Sequence, residues 1–234
     1  YLHRAGEQAA DQYANDEAIG YLSRAIELTP KDDLETRFAL LVAREAVYDV
    51  RGAREAQHAD LEALEALAED IDDDGRRAEA AWRKARYAVE IADHKAAIAA
   101  ARQAVHLAQV AHNVECEAQA HLYWESALRL QNDYEAAALQ AKQALNLARS
   151  ASLDRIEAHS LLSLGQILWE QADNAGAATF FGQALDLCRR IGDRRGEDMS
   201  LNSLGEVYYR SGEVTTQAEV ARENANAILT DLKH

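Results

Sequence analysis

Proline occurs once in this chain of 234 residues, at Pro30, and glycine only 11 times. Proline removes a backbone donor and fixes φ, and glycine favours turns, so their scarcity points to helix almost throughout. No run of alternating β-branched residues is long enough to form a half-buried strand. Cysteine is also scarce. Cys116 and Cys188 are isolated thiols without CxxC spacing. That argues for a reducing compartment, and so for the cytoplasm, with no disulfide and no metal role.

Positive charge is in short supply too. Lysine and arginine number 25 against 40 aspartates and glutamates, a net charge of −15. Nucleic-acid binding needs cations to displace counterions from phosphates, so it is disfavoured, as is an anionic membrane surface. No apolar run approaches the ~20 residues of a membrane span, and no signal-peptide pattern opens the chain. Phosphate-loop, HExxH, GxSxG and GxGxxG motifs are all missing, so no catalytic residue and no cofactor is expected. The eight histidines are scattered; His106 and His112 lie six apart, on different faces of a helix.

What the sequence does contain is repetition. The stretch NDEAIGYLSRAIELTP (15–30) recurs at 53–68, 94–109, 134–149 and 174–189. A first alanine falls at Ala18, Ala56, Ala97, Ala137 and Ala177, and a second at Ala25, Ala63, Ala104, Ala144 and Ala184. The intervals are 38, 41, 40 and 40 residues. Self-similarity at this period marks a helical solenoid. A second helix precedes each copy: LLSLGQILWEQAD (161–173) matches LNSLGEVYYRSGE (201–213), pairing Leu161, Ser163, Leu164 and Gly165 with Leu201, Ser203, Leu204 and Gly205. The unit is a helical hairpin, with small residues where two helices approach closely. Six hairpins are expected, at about 1–31, 32–72, 73–112, 113–152, 153–192 and 193–234, in one solenoid domain. Asn15 or Asp16 is expected to cap the helix that Pro30 ends, and Gly75, Asn113 and Gly192 to end later units.

Leu-x-x-Leu-Gly-x-x-Leu/Tyr in the first helix, then alanine, a large residue and alanine in the second, resembles the tetratricopeptide repeat (TPR). The first hairpin carries Leu2, Gly6, Ala18, Leu22, Ala25 and Pro30; the fifth carries Leu161, Leu164, Gly165, Ala177, Phe181 and Ala184. Gln217 and Asn224 depart from the pattern in the sixth hairpin. The resemblance implies an all-α, right-handed superhelical solenoid of antiparallel hairpins. Units of about 40 residues look like the long-helix variant of bacterial signal-transducing (STAND-type) ATPases. There the repeats are taken to sense a ligand or partner and to release the ATPase from autoinhibition. The chain opens at Tyr1 without methionine or a capping residue, which reads as a piece of a longer protein.

Function in such arrays resides on the concave face lined by first helices. Helical geometry sets the lining expected here: Phe38, Leu41, Glu45 and Tyr48; Glu79, Trp82, Arg86 and Val89; Gln119, Leu122, Ser126 and Arg129; His159, Leu162, Gln166 and Trp169; Met199, Asn202, Glu206 and Tyr209. Trp124 falls on the packing stripe. Among these, the expected groove contacts are Phe38, Leu41, Tyr48, Trp82, Arg86, Leu122, Arg129, His159, Leu162, Gln166, Trp169, Asn202 and Tyr209. This mixed stripe suits an amphipathic helix or extended peptide. The lysine-and-asparagine pattern of chaperone-tail receptors is absent from it, and the stripe offers Arg86 and Arg129 among Glu45, Glu79 and Glu206.

Two clusters have plainer readings. Asp70-Ile71-Asp72-Asp73-Asp74-Gly75 copies the first half of an EF-hand loop, but Ala81 stands where its bidentate glutamate belongs, so the aspartates read as helix caps. Arg189, Arg190, Arg194 and Arg195 could meet an anion, and read more simply as favourable charge around a helix end. The expected function is a non-catalytic protein- or peptide-interaction module, expected to be monomeric. The alternatives are a small-molecule sensor and a self-association scaffold.

Overall fold

The computed structural model of the chain describes residues 1–12 and 14–211, and the second helix expected in the sixth hairpin, with Gln217 and Asn224, lies outside them. Among the described residues all regular structure is helical: α1 (Leu2–Asp11), α2 (Asn15–Leu28), α3 (Leu34–Arg51), α4 (Arg54–Ile71), α5 (Asp74–Glu90), α6 (His94–Val110), α7 (Val114–Leu130), α8 (Tyr134–Ala151), α9 (Asp154–Glu170), α10 (Asn174–Ile191) and α11 (Arg194–Arg210). The chain divides into two compact units, Tyr1–Asn113 and Val114–His234.

The joints explain the period. A left-handed residue stands at Gly52, Asp72, Ala92, His112, Asn132, Ser152, Ala172 and Gly192, once every 20 residues. The residue that follows opens the next helix. In five places it is an aspartate whose side chain accepts from the backbone N–H three residues on: Asp73, Asp93, Asp133, Asp173 and Asp193; Asp33 caps α3 in the same way after the turn at Pro30. Each such cap satisfies one orphan donor and contributes about 1 kcal/mol. Three sequence expectations change here. Gly75 lies inside the first turn of α5, and Asp72 is the turn residue before it. Asn113 yields the left-handed position to His112. Ala14, not Asn15 or Asp16, occupies the start of α2 without a side-chain cap; Asp16 instead meets Arg51. Pro30 drives the preceding Thr29 to an extended conformation and ends α2 at Leu28. Asp73 caps α5, and Asp72 and Asp74 both pair with Arg77, which accounts for the EF-hand-like run.

Within unit 1, α1 through α6 each pack on the next, and within unit 2, α7 through α11 do the same. The α5–α6 interface is almost wholly alanine: Ala78, Ala81, Ala85 and Ala88 are buried on one helix, and Ala97, Ala101, Ala104 and Ala108 on the other. Such small side chains let two backbones lie close. Where one side chain is large, the partner is glycine. A Cβ added to Gly165 of α9 would sit 2.5 Å from the fully buried ring of Phe181 on α10, and one added to Gly6 would sit 2.7 Å from Leu22. Both pairs are 16 residues apart, at the same place in their hairpins.

Candidate functional site

In unit 1 the first helices form a trough of about 680 Å3, with α3 as its floor between α1 and α5. Ala39, Val42, Ala43, Ala46 and Val50 of α3 line it, with His3 and Glu7 on one wall and Arg76, Glu79 and Arg83 on the other. The register is one residue away from the expected stripe. Phe38 lies buried at the base of the trough, its ring under the Arg76 guanidinium at 5.0 Å. Leu41 is in the core with Leu61 and Leu64. Tyr48 is half-buried beneath Arg44, which pairs with Asp60 at 2.6 Å.

A buried carboxylate causes the shift. Glu45 is 0% exposed and accepts from Gln57 on α4 at 2.7 Å and from Arg83 and Arg86 on α5 at 2.9 and 2.8 Å. Fixing Glu45 inward turns its neighbours on α3 toward the trough. It also takes Arg86 into the interior, because a buried carboxylate left without its cations is strongly unfavourable. Trp82 carries the guanidiniums of Arg83 and Arg86 over its ring at 4.6 and 5.6 Å. Leu41, Tyr48, Trp82 and Arg86 are therefore not trough-lining residues, whereas Glu79 is.

On α7 and α9 the lining follows the expected register, whereas on α11 Ser203 stands in place of Asn202. A concavity of about 410 Å3 is lined by Gln119, Leu122, Ser126 and Arg129 of α7, His159, Leu162 and Gln166 of α9, and Met199 of α11. Phe181 lies beneath. Here Gly165 clamps α9 against Phe181 and fixes which face turns outward. Tyr123, Ser163 and Ser203 also line the concavity and were missed by the stripe. Their signal was present for the two serines, which recur 40 residues apart at one repeat position. Trp124, assigned to the packing stripe, is half-buried and stacked on His121 at 6.2 Å. Trp169, Asn202 and Tyr209 lie outside the concavity. Trp169 is half-buried under Arg210, whose guanidinium is 4.7 Å from the ring centre. Asn202 is exposed and bonds Asp198, and Tyr209 is 76% exposed.

The wall of this concavity holds a second buried carboxylate. Glu125, 1% exposed, accepts from Arg129 at 3.1 Å and from Ser126 at 3.2 Å. Burial pushes its pKa up, opposed by Arg129 and by hydrogen bonds from Ser163 and Ser126. Arg129 also reaches Glu170 at 2.8 Å, and Gln166 donates to Glu170 at 3.1 Å. His159 stands at the rim, its pKa lowered by the crowded surroundings more than Asp193 raises it. Gln119 and Ser203 make no hydrogen bond among the described residues, so their polar groups are available to a ligand. No group of three metal-ligating side chains occurs among the described residues. Nor is any described helix long and apolar enough to cross a membrane.

No protein-family model matches the chain, and no curated protein matches it in sequence. Solved structures match it in fold. BtubC from P. vanneervenii is 13% identical, with a TM-score of 0.70 over 95% of this chain and 91% of that one. A Rap protein complexed with competence and sporulation factor is 15% identical, with a TM-score of 0.81 over 93% of this chain and 60% of that one. A signal-transduction ATPase with numerous domains and a tetratricopeptide repeat sensor, from Pyrococcus horikoshii, is 14% identical, with a TM-score of 0.70 over 97% of this chain and 38% of that one. Against the latter two, this chain spans only part of the protein. With its all-helical hairpins and its small–large contacts at a 40-residue period, the chain has the all-α fold of the TPR-like repeat proteins.

Proposed function

We propose that the chain is a non-catalytic peptide-binding module and that its ligand lies in the unit 2 concavity. The observation that carries this reading is the composition of that wall. Amides and hydroxyls from three helices (Gln119, Gln166, Ser203) surround an apolar base of Leu122, Leu162 and Phe181. Amide side chains can donate to and accept from a peptide backbone, and an apolar base takes one or two of its side chains. The Rap structure, solved with competence and sporulation factor, is a protein of this fold with a bound partner. By the same reading the six hairpins form one cytoplasmic solenoid, monomeric, serving as the sensor part of a signal-transducing ATPase or transcriptional regulator.

The test is retention of a random linear pentapeptide library on the immobilised chain. Retention by the wild type, with at least a tenfold loss in a Gln119→Ala, Gln166→Ala double variant of unchanged circular dichroism, supports the reading. Equal retention by the two proteins overturns it. A small polar ligand is the second reading, favoured by the volume of about 410 Å3, which lies within the ~300–1,000 Å3 of small-molecule sites. It requires a rise in melting temperature with a metabolite library and none with peptides.

A further inference from the structure

The joint between α8 and α9 departs from its neighbours. After the left-handed Ser152 comes Leu153, where five other joints place a capping aspartate. Leu153 packs against the buried cluster of Ala118, Leu122, Ala144, Ala148 and Ile156. With Ile156 and Ile191 it makes the apolar floor of a depression of about 290 Å3. Glu115 of α7 and Asp154 and Arg155 of α9 stand around that floor. All three are exposed, and none makes an ion pair or hydrogen bond among the described residues. Elsewhere in unit 2 comparable charges are engaged: Glu157 holds Arg149 at 2.9 Å, Glu197 holds Arg189 at 2.8 Å, and Arg129 holds Glu170 at 2.8 Å. One cation and two acids over a shared apolar floor, none paired with another, are complementary to a ligand that carries both signs of charge.

We infer that this depression binds a free aliphatic α-amino acid, with its carboxylate on Arg155, its ammonium on Glu115 and Asp154, and its side chain on Leu153, Ile156 and Ile191. The site is separate from the unit 2 concavity, with which it shares no lining residue. Its volume lies at the lower end of the ~300–1,000 Å3 of small-molecule sites, so the ligand is small. Both ligand charges are needed. An anion alone meets two carboxylates, and a cation alone leaves Arg155 unpaired, whereas a zwitterion supplies a partner to each sign. A guanidinium takes a carboxylate through two parallel hydrogen bonds. The floor selects an apolar side chain, because a charged one laid on Leu153 and Ile191 would lose water without gaining a partner.

The experiment is equilibrium dialysis of labelled L-leucine against the full chain, with unlabelled competitors. Saturable one-to-one retention is expected. Leucinamide, which lacks the carboxylate, and 4-methylpentanoate, which lacks the ammonium, should each compete about fivefold more weakly than leucine, as should L-lysine. Arg155→Ala and Glu115→Ala should each weaken leucine binding by about fivefold, and Lys142→Ala, exposed on α8, should not. The substituted side chains are exposed and unpaired, so circular dichroism should not change. No saturable retention of leucine, isoleucine or valine overturns the inference. So does equal competition by leucine, leucinamide and 4-methylpentanoate, which would reduce the site to an apolar dimple. Leucine binding unchanged in an Arg155→Ala, Glu115→Ala double variant overturns it as well; loss in the Gln119→Ala, Gln166→Ala double variant would then move the ligand to the concavity. No arm uses a peptide, so failure here leaves the peptide reading of the concavity standing.

Discussion

Ala172 holds φ at +64° on an exposed turn, and Ala92 holds +59°. A Cβ in the left-handed region costs about 1–2 kcal/mol, a strain that glycine escapes. Glycine also gives the unfolded chain more freedom, which returns about 0.4–1 kcal/mol of that gain. Ala172→Gly is thus expected to stabilise the fold by about 0.5–1 kcal/mol, a rise of about 2 °C in thermal unfolding. No rise would mean that the turn carries little strain. These positions were not legible in the sequence: Gly52 and Gly192 announce a left-handed turn, but an alanine, a serine or a histidine does not. The aspartates after them were partly legible, since a capping role was read for the Asp72–Asp74 run. Glu45 was the costliest misreading. A glutamate between apolar residues on an amphipathic helix looks like a surface residue, and only the arrival of Arg83 and Arg86 from α5 makes its burial tolerable.

Among the elements, α9 and α10 are held by a close side-chain fit at Gly165 and Phe181. Gly165→Ala would drive a methyl into the Phe181 ring, an overpacking expected to cost about 1–3 kcal/mol, less up to ~1 kcal/mol of gained helix propensity. Urea unfolding checks this, and an unchanged midpoint would show that the ring can shift. The same contact explains why the α9 register was readable: a glycine facing a large residue fixes the rotation of its helix. On α3 and α5 no glycine does so, and the stripe slipped by one. On α7, His121 offers a second check. Burial holds its pKa below the ordinary 6.5, outweighing the hydrogen bond to Gln140. As pH falls below about 6.5 the unfolded chain takes up the proton first, so stability is fully present above that pH and is lost on acidification. His121→Gln should flatten the slope of stability below about pH 6.5. Glu125 works the other way, because its raised pKa makes acidification favourable to the fold. If it dominated, the variant would steepen the gain instead.

Over the whole molecule the excess of 15 negative charges opposes compaction. Exposed ion pairs contribute only about 0–1 kcal/mol each, so screening the general repulsion is expected to outweigh their weakening. Thermal unfolding in ~20 mM and then ~300 mM sodium chloride should therefore show a higher midpoint at the higher salt, where the Debye length is well under 10 Å. A fall would assign more weight to pairs such as Arg76–Glu35, Arg86–Glu45 and Arg129–Glu170, each of which joins residues 41 apart on successive first helices. The even spacing of the joints has one more outcome. Excising 133–172 leaves Asn132 directly before Asp173, so the splice keeps a left-handed residue followed by a capping aspartate. The chain is thus a string of interchangeable cassettes with matching couplings, which a gene can lengthen or shorten by copying without inventing a new turn.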